Sequence, residues 1–68
     1  MKQRKLTPRA ARVNAGLMAK DVVAALGISN ATLWNWENGN TSPSIAVAQR
    51  LADMYHIPLD EIAFYTQD

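Results

Sequence analysis

The chain contains no cysteine. No disulfide and no thiolate metal site can therefore hold it together. Its single histidine, His56, has no second histidine to join it in a metal site and no serine or acid at a recognisable catalytic spacing. A glycine-rich phosphate loop is also missing. These absences leave an enzymatic reading without support, and no metal, cofactor or small-molecule ligand is expected. No apolar run reaches the length of a signal peptide or a membrane span. The expectation is an intracellular, soluble protein with no membrane partner. Sixty-eight residues allow one domain with one small core. Its stability must come from packed helices, assisted by self-association. A hydrophobic share of 49% argues for a folded chain rather than a disordered one.

Acid is absent from the first 20 residues, which hold Lys2, Arg4, Lys5, Arg9, Arg12 and Lys20. The remainder sets Arg50 against Asp21, Glu37, Asp53, Asp60, Glu61 and Asp68. The net charge of +1 therefore conceals a basic first third on an acidic body. Such asymmetry points one end at a polyanion.

Residues 1–6 read as a basic, mobile arm and residues 7–68 as one domain. Thr7-Pro8 is a hydroxyl cap followed by proline at the first helical position, so a helix opens at 8 and runs to about Ala15. Val22, Val23 and Leu26 recur at helical spacing and place a second helix over about 19–26. A third covers about 29–38. Ser44 can cap a fourth, about 45–55, whose inner face is Ile45, Ala48, Leu51, Ala52 and Tyr55. His56-Ile57-Pro58 breaks it. A last short helix is expected over about 59–64, with Asp60 and Glu61 favouring its positive dipole end. No period-two pattern suggests a strand. The predicted architecture is all-α, with five helices.

The most informative stretch is Gly27-Ile-Ser-Asn-Ala-Thr-Leu-Trp-Asn-Trp-Glu-Asn-Gly39. Gly27 can end one helix, Ser29 can cap the next and Gly39 can stop it. The helix between is too short to be stable alone. Leu33 and Trp36, three apart, form its buried side. Asn30, Ala31, Thr32, Trp34, Asn35 and Asn38 form an uncharged outer side rich in amides and hydroxyls. That chemistry suits the major groove: Asn pairs bidentately with adenine, and Thr meets a base edge or a thymine methyl.

Taken in order, Gly16-Leu17, Leu26-Gly27-Ile28-Ser29, Thr32-Leu33, Trp36-Glu37-Asn38-Gly39, Pro43-Ser44 and Ile57-Pro58-Leu59-Asp60-Glu61-Ile62 resemble the lambda Cro/repressor-type, or Xre-type, helix-turn-helix family. The resemblance spans about 8–63. It implies a five-helix DNA-binding domain whose third helix lies in the major groove. Carried over by position, Asn30, Ala31, Thr32 and Asn35 resemble the base-edge readers. Trp34 lies on the same side as a sugar–phosphate contact. Asn38, Asn40, Thr41 and Ser42 resemble the loop that grips the backbone. Arg12 and Glu37 resemble a buried structural ion pair tying the first helix to the third. The junction of the fourth and fifth helices commonly forms the two-fold dimer in this family. Tyr55, Ile57, Pro58, Leu59, Phe64 and Tyr65 therefore become the expected dimer or partner surface, since so small a core cannot hide every one of them. With no sensing domain in the sequence, the closest functional likeness is a Cro-type repressor of phage style, binding a pseudo-palindromic double-stranded operator as a homodimer.

Two positions depart from the family pattern. Met18 and Ala19 stand where a hydroxyl cap and a phosphate-binding Gln are usual. A missing cap typically costs ~1 kcal/mol. The third helix and its following loop also lack basic residues, although phosphate neutralisation supplies much of DNA affinity. Lys2, Arg4, Lys5, Arg9 and Lys20 must supply the backbone contacts, or binding is weak. These departures, with Trp34, keep open an alternative: an antirepressor or modulator that engages a partner repressor protein and binds DNA weakly.

Overall fold

In a computed structural model, residues 5–64 are described. Four α-helices follow one another: α1 (Pro8–Asn14), α2 (Ala19–Leu26), α3 (Asn30–Glu37) and α4 (Ile45–Tyr55). A single 3-10 turn, Leu59–Glu61, comes last. The helix starts obey cap chemistry. The Thr7, Ser29 and Ser44 hydroxyls accept the N–H of Ala10, Thr32 and Val47 at 3.0, 3.1 and 3.3 Å. Each satisfies one amide that the helix itself leaves without a partner. At the start of α2, Met18 offers no side-chain cap. Asp21, three residues on, accepts the Met18 N–H at 2.8 Å and supplies the reciprocal half of a capping box. The expected deficit at this terminus is thus partly compensated.

Gly27 closes α2 with φ at +67°. Any L side chain is strained there, which is why the turn between α2 and α3 can be so tight. Its N–H and that of Ile28 both return to the Val23 carbonyl, at 2.9 and 3.2 Å. His56 does the same for α4 without being glycine, at φ +60°.

The core comprises Ala11, Val22, Leu33, Ala48, Leu51, Ala52, Tyr55, Ile62 and Phe64. α4 supplies four of its members and is the helix about which the rest arrange. The alanines at 48 and 52 are fully covered, letting neighbouring backbone approach closely. α1 packs on α3 and α4, while α2 packs on α3.

Several sequence expectations require correction. The fifth helix is one 3-10 turn. After it Ile62 is extended, because the Leu6 backbone captures this segment: the Leu6 N–H donates to the Glu61 carbonyl at 2.9 Å and the Ala63 N–H to the Leu6 carbonyl at 2.8 Å. This isolated parallel bridge pins Leu6, which the sequence assigned to the mobile arm, into the fold. Ile45, expected on the inner face of α4, is 65% exposed: it is the first residue of the helix, and full burial on that face begins only at Ala48. Tyr55 and Phe64 are core residues, not members of an exposed partner surface. A small fold gains most by covering its aromatics, which carry the largest apolar area per residue. No helix among the described residues is long and apolar enough to cross a membrane.

Candidate nucleic-acid interface

α3 is presented by three separate restraints. Leu33 anchors its inner side in the core, with Trp36 half-buried against the same cluster. Arg12 of α1 holds its last residue: Nε donates to Glu37 Oε2 at 2.7 Å and Nη2 to Oε1 at 3.2 Å. The third restraint is the loop beyond it. The Asn40 N–H donates to the Asn35 carbonyl at 2.9 Å, and Asn40 Nδ2 donates to Asn35 Oδ1 at 3.1 Å. Asn38 Nδ2 donates back to the Trp34 carbonyl at 2.8 Å. An eight-residue helix that cannot persist alone is thereby fixed at both its inner side and its C-terminal end.

The Arg12–Glu37 pair is nearly dry. Their side chains are 12% and 5% exposed. Arg12 Nη1 also donates to the Leu17 carbonyl at 3.1 Å, so one guanidinium joins α1, the chain leading into α2 and the end of α3. Hydrogen bonding to Glu37 holds the Arg12 pKa above its already high ordinary value, with burial opposing and the Glu37 charge assisting. Tyr55 lies in the same field. Burial, then the Glu37 charge, pushes its hydroxyl up to about 12. Arg9 adds a looser contact, Nε to Glu37 Oε1 at 3.6 Å, from an exposed side chain.

On the outer side, Asn30 and Ala31 are exposed, and Thr32 and Asn35 are half-buried. The Thr32 hydroxyl is engaged by Ser29 Oγ at 2.9 Å. Trp34 is 56% exposed. Lys20 stands exposed on the first turn of α2, with Met18, 60% exposed, just before it. Lys5, Arg9, Asn38, Asn40, Thr41 and Ser42 are exposed. Ser42 is nonetheless committed to the fold, since its hydroxyl donates to the Phe64 carbonyl at 3.1 Å. Lys2 and Arg4 lie outside the described residues. On the far side of the molecule's sequence, Ile57 and Leu59 are half-buried against the core and Pro58 is exposed, while Tyr65 lies outside the described residues. No group of three His, Cys, Asp or Glu among the described residues is placed to hold a metal.

Two features escaped the sequence. The amide link from Asn35 to Asn40 joins residues five apart across a helix end, which no periodicity reveals. Asp21 was more accessible: an acid three residues after an N-cap is a recognisable capping signal.

The comparisons with known proteins agree with this geometry. A family model described as a helix-turn-helix domain matches residues 9–64. The chain is 42% identical over 55 residues to a Bacillus subtilis (strain 168) protein, YazB, described as an uncharacterized HTH-type transcriptional regulator. That alignment covers 81% of this chain and 80% of the relative. No solved structure matches it. With so much of its length accounted for, the chain belongs to the Xre-type helix-turn-helix family of transcriptional regulators.

Proposed function

We propose that this protein is a sequence-specific DNA-binding repressor of the Cro type, acting as a homodimer on a pseudo-palindromic operator. The observation that carries the reading is the outer side of α3. Asn30 and Ala31 are exposed, and Thr32 and Asn35 half-buried, on a helix fixed by the core, an ion pair and a folded-back loop. Base-edge readers need such fixed placement. In this reading Asn30, Ala31, Thr32 and Asn35 meet base edges. Lys20, Lys5 and Arg9, with Arg4 and the loop residues Asn38, Asn40 and Thr41, meet the backbone. Ile57, Pro58 and Leu59 pair the two subunits, placing the α3 helices about one helical turn apart.

The test is a selection from random duplexes followed by anisotropy titration. A palindromic consensus and an affinity that falls steeply with salt are expected. Replacing Asn35 with Ala is expected to relax preference at one base pair by ~1–3 kcal/mol. An unchanged site preference would refute the placement of α3.

Exposed Met18 and Trp34 favour a second reading, in which the same face engages a partner repressor. Co-migration with that repressor and no shift of any duplex would select it.

A further inference from the structure

We infer that the DNA half-site is built of A·T pairs and that thymine methyl groups are read directly, by Ala31 and Trp34. This inference rests on the proposed DNA-binding reading and adds the chemistry of the ligand to it.

The argument starts from what α3 cannot do. Its one charged residue is Glu37. That carboxylate is 5% exposed and held by Arg12, so it is withdrawn from any groove. No guanidinium or ammonium on α3 can fork onto guanine O6 and N7, and no free carboxylate can accept from cytosine N4. The strongest readers of G·C pairs are therefore absent.

What remains falls into two rows at four-residue spacing: Asn30, Trp34 and Asn38 in one, Ala31 and Asn35 in the other. Asn30 is exposed and its amide makes no hydrogen bond among the described residues. It retains both a donor and an acceptor, the pair that adenine N7 and N6 require. Against guanine its carbonyl oxygen would face O6, acceptor against acceptor, and leave a desolvated group unpaired. Asn35 keeps its Nδ2 donors, and Oδ1 retains one of two acceptor sites after binding Asn40. It too favours adenine.

Between these amides stand the apolar groups. Ala31 offers one methyl, and Trp34 offers a broad indole, 56% exposed. The indole N–H makes no hydrogen bond among the described residues, and the backbone carbonyl of Trp34 is covered by Asn38. The 5-methyl of thymine is the only apolar substituent in the major groove. Residues four apart on a helix are separated by ~6 Å along its axis, or roughly two base-pair steps. Asn30 and Trp34 thus address nearby but different pairs, an adenine and then a thymine. Trp34 moves, on this argument, from a backbone contact to a base reader.

The test uses the full chain and the duplex recovered by selection. Each thymine of the half-site is replaced singly by deoxyuridine, which deletes the methyl and preserves pairing. Wild-type protein is expected to lose about three- to fivefold in affinity at one or two positions, the value of one buried methyl. Trp34→Ala, whose fold is verified by circular dichroism, is expected to bind the thymine and deoxyuridine duplexes equally at one of them. A consensus with G·C pairs under α3 would overturn the inference while leaving DNA binding intact. So would an A·T consensus indifferent to every deoxyuridine. Failure to recover any duplex would remove the DNA-binding reading itself and this inference with it.

Discussion

Removing one partner of the Arg12–Glu37 pair is the sharpest perturbation the structure offers. The guanidinium makes two hydrogen bonds to the carboxylate and one to the Leu17 carbonyl, in a site where the side chains are only 12% and 5% exposed. An exposed pair would be worth ~0–1 kcal/mol. Deleting one member of a buried pair costs ~3–5 kcal/mol, because the survivor stays charged in a poorly solvated place. A domain of this size has only ~3–10 kcal/mol of total stability. Arg12→Met and Glu37→Leu are therefore each expected to leave the protein at the edge of unfolding. The double change Arg12→Met/Glu37→Leu removes both charges and fills the space, so it should recover most of the loss. Urea titration, followed by circular dichroism in all four proteins, closes the cycle and isolates the coupling. The pair should also resist salt, since a dry contact is poorly screened. Single variants that each cost under ~1 kcal/mol, or losses that simply add, would refute the assignment of a buried pair.

Tyr55, with its hydroxyl pushed up to about 12, predicts alkaline instability. Below the ordinary tyrosine value near 10 both states are neutral and nothing is lost; above it the unfolded chain ionises first, so stability declines as pH rises toward 12, by ~2–3 kcal/mol in all. Tyr55→Phe should abolish that tyrosine-specific decline in urea midpoints taken across the range. His56, at φ +60°, bears left-handed strain of ~1–2 kcal/mol. His56→Gly relieves it, offset by ~0.4–1 kcal/mol of added unfolded-chain freedom, so a small net rise in urea midpoint is expected; a fall would show that the His56 side chain contributes contacts. Lys20→Ala should weaken all duplexes alike and reduce the logarithmic salt slope by ~1, whereas altered sequence preference would make Lys20 a base reader.

Legibility in the sequence followed the range of the interactions. Thr7, Ser29 and Ser44 mark helix starts through bonds to amides three residues away, so α1, α3 and α4 could be located from neighbours alone. Gly27 marks a turn for the same local reason. Residues 59–64 could not be read this way. Locally, acids near the start and apolar residues at 59, 62 and 64 suit a helix. What decides otherwise is Leu6, more than fifty residues distant, whose backbone takes the groups a helix would have used. The exposure of Ile45 has a similar origin: helical period gives direction around an axis but not whether a neighbour extends far enough to cover the first residue. Aromatic enrichment, shared by cores and interfaces, assigns Phe64 to a partner surface and Tyr55 both to the inner face of its helix and to that surface; composition cannot separate the two. The ion pair was readable only through the family pattern, since Arg12 and Glu37 are 25 residues apart.

A division of labour follows from where the charges sit. α3 carries no free charge, so in the DNA-binding reading it can add discrimination but little affinity. The basic groups within reach, Lys5, Arg9 and Lys20, lie on the arm, α1 and α2. Each is borne by an element that packs on or leads into the body holding α3. Phosphate contacts made there would set the register of α3 without consuming its amides. Asp21 sharpens the point. Its carboxylate is used to cap α2, which places an acid at the helix end that would otherwise attract phosphate most strongly. Lys20, its neighbour, must offset that acid before it contributes any net attraction. Asp21→Ser would keep a capping oxygen while deleting the charge. It is expected to raise affinity for every duplex by a similar factor, at little cost in stability, with the gain shrinking as salt rises. A gain confined to one sequence, or none at low salt, would mean that the start of α2 does not face the phosphates.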